Sequence, residues 1–126
     1  MSLNILIVDD SAVMRKMIIK TLNMSGILLG DLYEASDGKE GLRKLEENWI
    51  DLLMIDINMP VMDGMEMLHH VRNNLKTKDT PVLIVSTESN EQRIANFYKL
   101  GASFVHKPFT PEELREEINR MTDIEV

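Results

Sequence analysis

The stretch Asp51-Leu52-Leu53-Met54-Ile55-Asp56-Ile57-Asn58-Met59-Pro60-Val61-Met62-Asp63-Gly64 decides how the chain reads. Four apolar residues run without a polar break into Asp56, and a Met-Pro turn and an Asp-Gly pair follow. A short apolar run ended by turn residues is the pattern of a parallel strand covered on both faces. A carboxylate at its end sits at the edge of the sheet, not on a solvated face. The pattern recurs along the chain. Asp9 and Asp10 end the run Ile5-Leu6-Ile7-Val8, Ser86 ends Pro81-Val82-Leu83-Ile84-Val85, and Lys107 follows Ser103-Phe104-Val105-His106.

Helical spacing fills the intervals. Ser11 reads as an N-cap, with Met14, Met17, Ile18, Thr21 and Leu22 along one face and Gly26 as the stop. A second strand covers Leu32 to Ala35, and Asp37 with Glu40 opens a helix that buries Leu42 and Leu45. The strand Leu52 to Ile57 leads to a helix from Gly64 to about Leu75, and the strand Pro81 to Ser86 to one from Asn90 to Leu100 carrying Ile94, Phe97 and Tyr98. Thr110-Pro111-Glu112-Glu113 opens the last helix, whose buried face is Leu114, Ile118 and Met121. Five such units predict an α/β fold: a doubly wound, five-stranded parallel (βα)5 sheet with right-handed crossovers. Ligands bind such sheets at the carboxyl ends of the strands. Asp9, Asp10, Asp56, Ser86 and Lys107 all fall at that end.

The 126 residues are enough for one domain with a core that needs no disulfide or structural metal. Absence of cysteine excludes disulfide frameworks, thiolate zinc sites and thiol nucleophiles, and fits a reducing cytosol. No apolar stretch approaches the ~20 residues of a membrane span, and no secretory start is visible, so the chain reads as cytoplasmic. A net charge of −7, from 21 acidic and 14 basic residues, makes nucleic acid a poor partner and cations a good one. The ten methionines read mostly as core filler.

Three carboxylates in one crevice do not stay ionised unaccompanied. Two unit charges ~4 Å apart repel by about 4 kcal/mol at an effective dielectric of ~20. Three such pairs are comparable with the ~5–15 kcal/mol stability of a whole domain. Either protons stay on, raising pKa values, or a cation enters. Oxygen donors with no His or Cys beside them select Mg2+ or Mn2+ over zinc, and Lys107 offers a second, permanent cation. A metal held by Asp10 and Asp56 leaves positions for water and phosphate oxygens, with Ser86 and Lys107 placed for the others. That set suits phosphoryl transfer, with Asp56 as the nucleophile that forms an acyl phosphate.

In order and on these elements, the residues resemble the receiver domain of bacterial two-component response regulators, most closely its single-domain chemotaxis form. Asp9-Asp10 matches the family's acidic pair, and Asp56 with Met59-Pro60 and Asp63-Gly64 its phosphoacceptor and following loop. Ser86 matches the switch hydroxyl, and Gly101-Ala102 with Lys107-Pro108-Phe109 the lysine motif. The resemblance spans nearly the whole chain and implies one receiver domain over residues 1–126 with no output domain. It implies the flavodoxin-like strand order 2-1-3-4-5, of which the chemotaxis receiver is itself a type example. It also implies Mg2+ as cofactor, bound by Asp10, Asp56 and the backbone carbonyl of Asn58, with Asp9 acting through water. The Lys107–Pro108 bond is expected to be cis. Phe104 falls where the family carries its aromatic switch, often a Tyr, and lacks the hydroxyl. Asn58 and Glu88 occupy the positions that tune dephosphorylation.

The function so implied is phosphorylation-dependent signalling. Asp56 accepts a phosphoryl group from a histidine kinase, and the surface of the fourth helix, fifth strand and fifth helix is switched for a downstream protein. That target is expected to be a flagellar switch or a phosphotransfer protein, in chemotaxis or another phosphorelay. The chain catalyses only its own phosphorylation and dephosphorylation, acts as a monomer, and contacts neither nucleic acid nor membrane. The competing function is a Mg2+-dependent aspartyl phosphatase of the haloacid-dehalogenase type. Its nucleophile follows the first strand in a spaced Asp-x-Asp pair, whereas Asp9 and Asp10 are adjacent. A nucleotide- or flavin-binding domain would need a glycine-rich phosphate loop, which is missing. Each residue alone also has a plainer reading. Asp9-Asp10 suits a helix-opening turn, Asp56 a turn former, Lys107 a surface lysine, and Asn58 and Glu88 solvated loops. His69, His70 and His106 lack metal-ligand spacing, and Phe97, Tyr98 and Phe104 suit core or partner surface equally.

Overall fold

The computed structural model describes residues 2–122. Among them, β1 (Leu3–Val8), β2 (Leu29–Ala35), β3 (Leu52–Ile55), β4 (Val82–Ser86) and β5 (Ser103–His106) alternate with five helices. These are α1 (Ala12–Met24), α2 (Gly38–Glu47), α3 (Gly64–Arg72), α4 (Glu91–Lys99) and α5 (Pro111–Thr122). All strand pairs are parallel and the order is β2-β1-β3-β4-β5, as the resemblance implied.

The pleat divides each strand between two layers. Leu6, Val8, Leu53, Ile55, Val82 and Ile84 face a core closed by Leu45, Met67, Leu68, Val71 and Phe97 of α2, α3 and α4. Ile5, Ile7, Leu52, Met54, Leu83 and Val85 face the other, closed by Ile18 and Leu22 of α1 and Leu114 and Ile118 of α5. Burial on both faces is why these runs carry no polar residue until the strand ends.

Helix starts follow the local chemistry. Ser11, Asp37, Asp63 and Asn90 each accept, through the side chain, the N–H three residues on. Thr110 Oγ1 does the same for Glu113 at 3.1 Å. Gly26, at φ 83°, ends α1 in the left-handed conformation.

Several boundaries and faces differ from the sequence reading. β2 starts at Leu29 because Leu3 pairs with it and the Asn4 side chain accepts the Asp31 N–H at 2.8 Å. The residues gained there are edge residues without alternation. β3 stops at Ile55 because the Asp56 carboxylate accepts the next N–H, from Ile57, and turns the chain. α3 stops at Arg72, leaving Leu75 86% exposed. Met17 lies one position off the buried Ile18–Leu22 row and is 57% exposed, as is Met24 at 64%, whereas Met54, Met59 and Met67 are buried. Methionine is therefore core filler only in part. Phe97 is core and Tyr98 is surface.

Candidate functional site

Strand register assembles the site. Val8 pairs with Ile55, and the Asp56 N–H donates to the Val8 carbonyl at 2.9 Å, so Asp9 and Asp56 leave neighbouring strands side by side. On the other flank Ser86 pairs with His106, and the Lys107 N–H donates to the Ser86 carbonyl at 2.9 Å. The five residues expected at one edge are thus brought there by backbone pairing.

One carboxylate oxygen from each of Asp9, Asp10 and Asp56 lies within 4.8 Å of the others. Lys107 Nζ is 3.4 Å from Asp9 Oδ2 and 3.6 Å from Asp56 Oδ1. Asp9, Asp56 and Lys107 expose little of their side chains, while Asp10 opens to solvent. Asp9 has both oxygens engaged, since Oδ1 also accepts the Ser11 N–H at 2.9 Å. Arg15 braces it from behind: its guanidinium donates to the Asp9 backbone carbonyl and pairs with Glu34 at 2.9 Å. Asp56 differs. Its Oδ1 accepts the Ile57 N–H at 2.9 Å, and Oδ2 accepts no hydrogen bond among the described residues. Burial pushes the Asp56 carboxyl above its ordinary pKa; the Lys107 charge opposes this, Asp9 adds to it, the Ile57 N–H opposes and Asp10 adds. One lysine against three hard oxygen donors leaves excess negative charge, and this arrangement fits a magnesium-sized cation.

Ser86 is buried, and its Oγ accepts the Glu88 N–H at 3.1 Å. It donates no hydrogen bond among the described residues, so its proton is uncommitted. Thr87 is exposed, as is Asn58, whose carbonyl accepts no backbone hydrogen bond among the described residues. Phe104 stacks on Phe97, with ring centroids 6.2 Å apart and planes at 15°, and meets the edge of His106. The Lys107–Pro108 bond is cis. His69, His70 and His106 are exposed and stand outside the acidic cluster.

The loop after Asp56 is strained at one point. The Met62 N–H donates to the Pro60 carbonyl at 2.7 Å across Val61, which sits at φ 67°. This is a three-residue turn with positive central φ, costly for a β-branched residue. Val61 is 76% exposed, so packing does not require valine there. Val61→Gly is expected to stabilise the fold by ~0.5–2 kcal/mol, because the relieved strain exceeds the added chain entropy. A lowered thermal midpoint for that variant would refute the assignment of strain.

Three residues escaped the sequence reading in these roles, two of them beside the site and the third, Arg72, at the opposite edge of the sheet. Glu88 is tied into the start of α4, Arg15 braces Asp9, and Arg72 donates to four backbone carbonyls. Isolated charged side chains with cross-element partners carry no periodic signal that could have found them.

A parallel five-stranded sheet with an acidic cluster and a lysine at its carboxyl edge defines a class, and residues 5–119 match the family model of the response regulator receiver domain. The chain belongs to that family. Among its relatives, chemotaxis protein CheY1 of Helicobacter pylori is 35% identical over 118 residues, covering 92% of this chain and 94% of that protein. The structure of chemotaxis protein CheY4 of Vibrio cholerae superposes with a TM-score of 0.84 at 34% identity, covering 96% and 99% of the two chains. A chain of the CheX–CheY–BeF3–Mg2+ complex of Borrelia burgdorferi gives a TM-score of 0.83 at 29% identity, covering 94% and 87%.

Proposed function

We propose that the chain is a phosphorylation-dependent switch in which residues 1–126 act as one receiver unit and Asp56 is the phosphoacceptor. The observation that carries this reading is the Asp56 carboxylate in a cluster of three acids: Oδ1 lies 3.6 Å from Lys107 Nζ, and Oδ2 accepts no hydrogen bond among the described residues. Asp56 attacks the phosphorus of a phosphohistidine on a kinase. An O–P bond forms, the P–N bond breaks, and the imidazole leaves with the electron pair. Lys107 holds its charge beside one phosphoryl oxygen, and Ser86 donates its free proton to another. Asp10, Asp56 and the Asn58 carbonyl, with Asp9 through water, would hold Mg2+, which when bound supplies the remaining neutralising charge.

The signal is a shift of population. Ser86 moves toward the phosphoryl group, and the surface of α4, β5 and α5, with Phe104 at its centre, settles into the form that a downstream protein binds. The phosphatase reading is disfavoured by the adjacent acids Asp9 and Asp10, of which Asp9 has both oxygens occupied.

Incubation with Mg2+ and a small acyl-phosphate donor tests the chemistry by intact mass. The wild-type chain is expected to gain one phosphoryl group, and Asp56→Asn none. Phosphoryl incorporation that survives in Asp56→Asn would sink the assignment, as would its absence from the wild type.

A further inference from the structure

We propose that Arg93 is a positioning residue that makes α4 follow Ser86, an inference that rests on the phosphoacceptor reading above. The loop between β4 and α4 is organised by one side chain, Glu88. Its backbone N–H donates to Ser86 Oγ at 3.1 Å. Its Oε2 accepts the N–H groups of Ser89 and Asn90, at 3.2 and 3.1 Å. Its Oε1 is 2.9 Å from Arg93 Nη1, with the Glu88 side chain 18% exposed and that of Arg93 53%. Arg93 lies in the first turn of α4, where its own N–H is capped by the Asn90 side chain at 3.1 Å. A continuous set of contacts therefore runs from the Ser86 hydroxyl through Glu88 to α4.

The far end of α4 is held differently. Arg72 donates to the Leu100 carbonyl at 2.6 Å and the Gly101 carbonyl at 3.2 Å, where the helix ends. The same guanidinium donates to the Lys78 and Thr80 carbonyls at 3.0 and 2.7 Å. A cation at a helix C-terminus satisfies both the orphan carbonyls and the macrodipole. The helix is thus anchored at its C-terminus, while its first turn is linked to the site by an ion pair. When Ser86 moves, the Glu88 amide moves with it. While Arg93 holds the Glu88 carboxylate, the first turn of α4 must follow. Without Arg93 the carboxylate is bonded only to its neighbours Ser89 and Asn90, and the loop absorbs the displacement.

Amide hydrogen exchange with and without Mg2+ and beryllofluoride tests this, reading residues 57–62 for loading and residues 91–99 for the response of α4. In the wild type both segments are expected to change. In Arg93→Ala the loading segment still changes, while the ligand-induced change in α4 falls roughly two- to fivefold, the scale of a half-exposed ion pair. Glu88→Gln should reproduce that split, and Arg93→Lys should restore most of the response. An Arg93→Ala response in α4 equal to that of the wild type overturns the inference. So does a change in α4 exchange confined to the unliganded protein, which is what a merely structural role produces. Loading of the wild type without a response in α4 overturns this inference alone. Failure of the wild type to gain a phosphoryl group overturns the phosphoacceptor reading, and this inference with it.

Discussion

Gly64→Ala is expected to cost about 2–4 kcal/mol of stability and to depress phosphorylation at Asp56. A Cβ on Gly64 would stand 2.3 Å from the Asp56 carbonyl oxygen, 2.8 Å from Ile57 Cα and 3.1 Å from the Asp56 carbonyl carbon. All three are backbone atoms, and none can rotate aside. Relief requires the first turn of α3 to draw away from the end of β3, which breaks the Gly64 N–H bond to the Ile57 carbonyl at 2.9 Å. It also displaces the peptide that carries the Asp56 carboxyl. Gly41 supplies the comparison. There a Cβ would meet Met67 Cε at 2.8 Å, Met67 Sδ at 3.3 Å and Val8 Cγ2 at 3.0 Å, all side-chain atoms, and the methionine can swing away. Urea midpoints of the two variants decide the matter. A Gly64→Ala loss no greater than that of Gly41→Ala would show that the close approach to Asp56 carries little energy.

Lys107→Met is expected to cost about 2–4 kcal/mol near neutral pH, with a distinctive dependence on acid and magnesium. Methionine keeps the length of the stem and removes the charge that lies 3.4 Å from Asp9 and 3.6 Å from Asp56. Stripping one partner from a buried ion pair is more costly still when the other must stay charged, but here the carboxyls can take up a proton. The Asp56 carboxyl already sits above its ordinary pKa in the folded chain, and loss of the opposing Lys107 charge moves it higher. A carboxyl whose folded pKa exceeds its unfolded value penalises the fold above the folded pKa. That penalty fades as pH falls through the folded value towards the unfolded one. The deficit of Lys107→Met is therefore largest near neutrality and shrinks in acid. Mg2+ replaces the missing charge, so it should stabilise the variant more than the wild type at neutral pH. Thermal midpoints at neutral and acidic pH, with and without Mg2+, check both signs. A deficit that widens on acidification would contradict the electrostatic account.

How much of this could be read before the fold was known depends on the range of each interaction. A strand covered on both faces is a local property, visible wherever four apolar residues run into an acid, as at Leu52–Asp56. Caps are equally local, and Ser11, Asp37 and Thr110 were legible from a hydroxyl or carboxylate three residues before its donor. The edges of elements were less so. The start of β2 at Leu29 depends on pairing with Leu3, and α3 ends at Arg72, whose guanidinium is spent on the distant Leu100 and Gly101 carbonyls. No window of sequence contains both partners.

By itself, then, the sequence determined the alternation of five strands with five helices and the placing of Asp9, Asp10, Asp56, Ser86 and Lys107 at strand ends. Apolar periodicity records burial, and burial is decided over a handful of residues. Only the tertiary structure decided which of these groups share charge. Asp9 and Lys107 are 98 positions apart, and parallel register alone brings them to 3.4 Å. It decided as well that Asp9 has both oxygens engaged, one of them by Lys107, while Asp56 Oδ2 accepts no hydrogen bond among the described residues. Polar contacts of this kind succeed or fail within about an ångström and leave no period in the chain, so they become legible only when the strands lie side by side.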